Sequence, residues 1–146
     1  MHSSLNYYLA PLLIQVALPY LVAALILITR LSDILGSGTP RSFYENYSGV
    51  GGPEMVQRTT NQLTNQFEFP VLFLTLIALA VTGDVRDGML LTMAWAFAAS
   101  RWLHAVVHLA VNVLWIRMAV FMVSNLVLLG MWIRLALVTT GMQTVL

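Results

Sequence analysis

The sequence predicts an all-α integral membrane protein built as a four-helix bundle, and three observations carry that prediction. Of its 146 residues, 59% are hydrophobic and 9% are charged, with a mean hydropathy of +0.81; soluble domains carry roughly 25% charged residues. Four apolar stretches can each supply the ~20 residues that a helix needs to cross a bilayer. The polar residues inside two of those stretches recur at spacings that bring them to one face of a helix.

Residues 1–9 are polar and aromatic, with Tyr7 and Tyr8 placed for an interfacial belt. The first span runs over 11–31, with Gln15 as its main uncharged polar residue and Arg30 at its end. Pro11 suits a first turn, whereas Pro19 is expected to kink the helix. Without a basic leader or a small-residue cleavage site before Arg30, no secretory signal is expected. Residues 32–53 form the one long connection, rich in Gly, Ser and Pro with Tyr44 and Tyr47 among them, which reads as loop. Such a loop is either a lid or partner surface, or a plain tether.

The second span covers 54–82 and opens on Glu54, whose charge suits a helix N-terminus. Gly83-Asp84 makes a tight turn. The third span covers 88–114 and the fourth 118–138, so residues 1–146 form a single membrane domain with no room for a separate soluble one.

All seven basic residues are arginines, which keep their charge in poorly hydrated places and can fork onto a carboxylate. A net charge of +1 gives no reason to expect nucleic acid as a partner. The lack of cysteine excludes disulfides, cysteine nucleophiles and thiolate metal sites. Arg30, Arg41, Arg58 and Arg117 lie at or beside the first and third connections, against Arg86 alone in the second. The positive-inside rule therefore puts those two connections in the cytoplasm and both termini outside.

Two polar stripes lie at membrane depth. Asn61, Asn65 and Glu68 fall at i, i+4, i+7 on the second span. Arg101, His104, His108 and Asn112 fall at i, i+3, i+7, i+11 on the third. Counted from Arg58, Glu68 sits about 15 Å along its helix; counted from the third turn, Arg101 sits about 18 Å along its own. A carboxylate at such depth is costly by ~2.5–3.5 kcal/mol on insertion scales unless partnered, so a Glu68–Arg101 ion pair is expected.

Plainer readings stand beside this. The pair can be a structural core pair, the asparagines interhelical hydrogen-bond glue, and Arg117 a positive-inside anchor. His104 and His108 could chelate a metal with Glu68, but the spacing is weak support and no metal is expected. Together, two aligned stripes at one depth point to a polar ligand site open to the cytoplasm.

Asn65-x-x-Glu68-x-Pro70-Val71-Leu72-Phe73, then Arg101-x-x-His104-x-x-x-His108, then Arg117, resemble the MAPEG superfamily, the membrane-associated proteins of eicosanoid and glutathione metabolism. The wording Asn65-Gln66-Phe67-Glu68-Phe69-Pro70 is especially similar to an uncharacterised bacterial-type branch. The resemblance covers about 58–137, and the four-span layout extends it to nearly the whole chain. It implies a homotrimer in a lipid bilayer, here a bacterial inner membrane, with glutathione as co-substrate bound between subunits at the cytoplasmic side. Asn61, Asn65, Glu68, His104 and His108 would contribute to that site, Arg30 would come from the adjacent subunit, and Arg117 would stabilise the glutathione thiolate. A fixed cation in a dry site suits that chemistry, since a thiol of pKa ~8.5 becomes a better-populated nucleophile beside it.

The chain also departs from the pattern. Asn61 and Thr64 stand where active members carry arginine, His108 stands in place of tyrosine, and Met118 stands where the prostaglandin E synthase branch has serine. Two functions follow. One is a glutathione-dependent transferase or peroxidase acting on lipophilic electrophiles. The other is a non-catalytic membrane trimer of the same fold that binds a lipid or quinone-like molecule, or serves as a subunit of a larger complex.

Overall fold

The computed structural model describes residues 4–36, 39, 41–45 and 53–141, and every regular element among them is helical. Helix α1 (Ser4–Gly36) extends beyond the expected span at both ends. At ~1.5 Å per residue its 33 residues reach about 50 Å, well past a hydrocarbon core of ~30 Å. Pro11 accordingly lies inside the helix and not in its first turn. Tyr8, expected at an interfacial belt, is fully buried, and its hydroxyl accepts the Asp87 backbone N–H at 3.3 Å. The extra turns of α1 carry that ring in against the α4–α5 connection.

The connection read as loop contains a short helix, α2 (Arg41–Glu45). Its Tyr44 hydroxyl donates to Asp33 Oδ2, and the Arg30 guanidinium lies 5.9 Å from the Tyr44 ring centroid. Tyr47 and the glycines that follow it lie outside the described residues.

The second span is two helices, α3 (Glu54–Gln66) and α4 (Phe69–Thr82), and not the continuous one expected over 54–82. Pro70 explains the break. Its ring displaces the carbonyl four residues back, that of Gln66, and its missing N–H leaves that carbonyl unbonded. The helix stops at Gln66: the Phe67 N–H turns back to the Thr64 carbonyl at 2.9 Å, and α4 restarts with Pro70 in its first turn. The Gly83-Asp84 turn forms as expected, with Asp84 at φ +48°.

Helix α5 (Gly88–Val106) is capped by Asp87, whose carboxylate accepts the Leu90 N–H at 2.7 Å. It runs into one π-helical turn, Val107–Val111, closed by Asn112 at φ +49°, ψ +27°. Helix α6 (Leu114–Thr139) follows at once. Arg117, expected in the connection, therefore belongs to the first turn of α6.

The bundle has two unlike ends. Near the α4–α5 turn the packing is apolar: Phe73 stacks on Phe97 at 4.7 Å, among Tyr8, Leu76, Leu90 and Met131. Toward the other end the interior turns polar, with Gln62, Gln66, Arg101, His104 and His108 all buried. The outer surface is the reverse of a soluble protein's, exposing Leu13, Leu27, Leu126 and Trp115 among many large apolar side chains. Four helical segments, Ser4–Gly36, Glu54–Thr82, Gly88–Val111 and Leu114–Thr139, are long and apolar enough to cross a membrane. The protein is an integral membrane protein.

Candidate anion-binding cleft at the polar end

An open cleft of about 290 Å³ is lined by Asn61, Asn65, His104, His108, Arg117, Met118 and Phe121. Five of these were singled out from the sequence. Each reaches the cleft for a local reason. Asn61 and Asn65 are one turn apart on α3. His104 stands on the last turn of α5 and His108 on the π turn, their ring centroids 5.9 Å apart. The wider π turn, i to i+5, lets residues four apart stay on one side.

Arg117 is positioned by the chain reversal beside it. Its Nη1 donates to Asn112 Oδ1 at 3.0 Å. Asn112 sits in the left-handed region, which asparagine tolerates better than most residues. The guanidinium is half-buried, and no carboxylate among the described residues pairs with it.

The expected Glu68–Arg101 ion pair does not form. Arg101 is fully buried, and its Nη2 donates to the Asn65 backbone carbonyl at 2.7 Å. The helix break explains the exchange: with α3 ended at Gln66, the Asn65 carbonyl has lost its place in the intrahelical ladder and is free to accept. Glu68, at the start of α4, is exposed and does not line the cleft. Its charge still acts on Arg101 through space. Arg30, near the far end of α1, also lies outside this cleft. No cluster of metal-ligating side chains forms among the described residues, so His104, His108 and Glu68 do not converge as a three-ligand set.

Two neighbours were not anticipated. Phe121 packs its ring edge-on beside Phe69 at 5.5 Å, lies 5.6 Å from His104, and has the Arg101 guanidinium 5.9 Å from its centroid. It lies four residues after Arg117, so helical spacing placed it on the same face, once the start of α6 was known. Arg58 donates Nη1 to the Leu109 carbonyl of the π turn at 3.4 Å while pairing with Glu54. The sequence offered Arg58 only as a topology signal. The outcome is a cleft with two histidines, two amides and one outward guanidinium, with Arg101 buried behind and Arg58 alongside.

A cationic, partly desolvated cleft at one end of a four-span helical bundle defines the class: an integral membrane protein built to hold a small anion or anionic group beside the bilayer. The MAPEG family model matches residues 8–137, and the chain belongs to the MAPEG family. No curated protein and no solved structure matches the chain. At family level, membership means a membrane protein with a glutathione-related transferase, peroxidase or related role.

Proposed function

We propose that the protein is a glutathione-dependent transferase or peroxidase acting on lipophilic electrophiles, with Arg117 holding the glutathione thiolate. The observation that carries this reading is the Arg117 guanidinium, oriented by Asn112, presented to a cleft and lacking an acidic partner among the described residues. A cation in poorly hydrated surroundings favours the charged form of a bound thiol, whose proton passes to water. The first turn of α6 adds its positive end to the same spot. The sulfur lone pair then attacks an electrophilic carbon arriving from the bilayer, and the leaving group departs with its bonding electrons. With a hydroperoxide, two thiols give a disulfide, an alcohol and water.

Asn65, His104 and His108 would bind the tripeptide's amide and carboxylate groups. Glu68, exposed on the single chain, would meet the tripeptide or a neighbouring copy in a homotrimer, and Arg30 would serve the adjacent copy's cleft. The positive-inside reading places the cleft at the cytoplasmic face of a bacterial inner membrane.

Ultraviolet titration of the detergent-solubilised protein with glutathione tests the reading. A saturable thiolate absorbance that is lost in Arg117→Ala is expected. Absence of any signal at millimolar glutathione overturns it in favour of the non-catalytic membrane protein, the reading favoured by neutral Asn61 and Thr64.

A further inference from the structure

A second cavity lies on the opposite side of α3 from the cleft. Leu63, Gln66 and Phe67 project from the helix roughly half a turn away from Asn61 and Asn65. With α1 and the start of α4 they enclose about 370 Å³, within the ~300–1,000 Å³ typical of small-molecule sites. The walls are apolar, including Pro19, Leu63, Phe67, Pro70 and Leu74, and no charged residue lines them.

Two side chains break that pattern. Gln15 is 2% exposed and Gln66 is 3% exposed, and both line the cavity. Gln15 Oε1 and Gln66 Oε1 have no hydrogen-bond partner, and no hydrogen bond forms from the Gln15 amide nitrogen. Buried amides are normally satisfied, and a glutamine left without partners on an apolar wall is a frequent mark of a missing ligand group or water. The backbone adds to the demand. Pro19 brings no N–H for the Gln15 carbonyl, and Pro70 brings none for that of Gln66. Both prolines sit on the cavity wall.

We infer that this cavity binds a neutral lipophile with a single hydroxyl or carbonyl head, its tail in the apolar walls and its head on Gln15 and Gln66. The head is neutral because nothing charged lines the cavity to hold a carboxylate or phosphate. An amide side chain can donate or accept, so it serves either head. Tyr20 and Phe67, 74% and 67% exposed, stand at the mouth, where a tail can enter from the bilayer. The site is separate from the thiol chemistry at the cleft and stands whether or not glutathione binds there.

The test uses the full chain in phosphatidylcholine nanodiscs and a long-chain alcohol carrying a diazirine on its tail, with cross-linked peptides mapped by mass spectrometry. Saturable labelling of the segments 15–23 and 63–74, competed by dodecanol but not by dodecanoate, is expected. Gln15→Leu, which removes an unsatisfied buried amide and so leaves folding intact, should weaken the apparent affinity by about three- to tenfold, the worth of one hydrogen bond. Ala23→Phe, which fills the cavity and keeps both glutamines, should abolish the saturable labelling. Even labelling of all bilayer-facing helices overturns the site as ordinary boundary lipid. So does labelling undiminished in Ala23→Phe. A photo-crosslinker at Phe67 that joins two chains in place of taking lipid also overturns it, since a second copy then closes the cavity.

Discussion

Replacing Asn112 separates the structural and electrostatic duties of the cleft. The residue holds a left-handed backbone and accepts a hydrogen bond from Arg117 at 3.0 Å. A hydrogen bond to a charged group contributes ~1.5–3 kcal/mol, and exposure of the half-buried Arg117 brings this to about 1 kcal/mol. Asn112→Gly loses that bond but keeps the backbone unstrained, so about 1 kcal/mol of stability should go. Asn112→Ala adds the left-handed cost of ~1–2 kcal/mol, for a total of about 2–3 kcal/mol. Asn112→Asp keeps both the backbone tolerance and the acceptor, and pairs Arg117 with a carboxylate. Its stability should match or exceed the parent's, while glutathione thiolate absorbance falls by at least about tenfold because the cation is already neutralised. Reversible unfolding in mixed SDS and dodecylmaltoside micelles reads the first quantity and ultraviolet titration the second. An Asn112→Asp variant with the parent's thiolate signal would refute Arg117 as the anion's partner; equal stabilities for Gly and Ala would refute the strain.

Asp87 caps α5 and accepts two hydrogen bonds from Arg134, at 3.1 and 2.8 Å. Asp87→Ala should cost about 2–3 kcal/mol in the same unfolding assay, whereas Asp87→Asn keeps a cap worth ~1 kcal/mol and should cost less. Arg134's hydrogen bonds, against some opposing desolvation, hold the Asp87 carboxyl below its ordinary 3.8. Its stabilisation is therefore complete above about pH 4 and lost as pH falls through the lowered value, and Asp87→Asn should remove that part of the acid dependence. Phe73→Ala, at a fully buried ring stacked on Phe97, should cost about 3 kcal/mol. That is the low end of the ~3–5 kcal/mol range for such truncations, because a chain unfolded in lipid still shields the ring from water. Gly130→Ala puts a Cβ 2.6 Å from the flexible Met93 methyl end. Met93 can swing aside, and helix propensity favours alanine by ~1 kcal/mol, so the melting temperature should barely move.

The helical class and the four-span layout were legible because bilayer thickness imposes a length on any apolar run. So were most of the cleft residues, since Asn61, Asn65, His104 and His108 obey helical spacing and Arg117 stands out by charge. What the pattern hid was backbone geometry. Pro70 is visible in the sequence, yet a periodicity read straight through it put Glu68 on a continuous helix facing Arg101. The break re-aimed the carboxylate and supplied Arg101 with the Asn65 carbonyl instead. The π turn was hidden for a related reason: Val107-His108-Leu109-Ala110-Val111 has nothing in its composition to separate it from α-helix. Phe121 and Arg58 were missed because their roles depend on where α6 begins and on which carbonyls the π turn leaves available.

That π turn makes the cleft sensitive to chain length as well as to residue identity. One residue removed from 107–111 would let the segment close as regular α-helix while changing no side chain that lines the cleft except where His108 itself falls. Everything after the deletion would then turn by about 100° and advance by about 1.5 Å relative to α5. Asn112 would swing away from Arg117, and α6 would have to re-dock along its whole length. Homologous chains that share the lining residues but differ by a single-residue gap here should therefore not share the site.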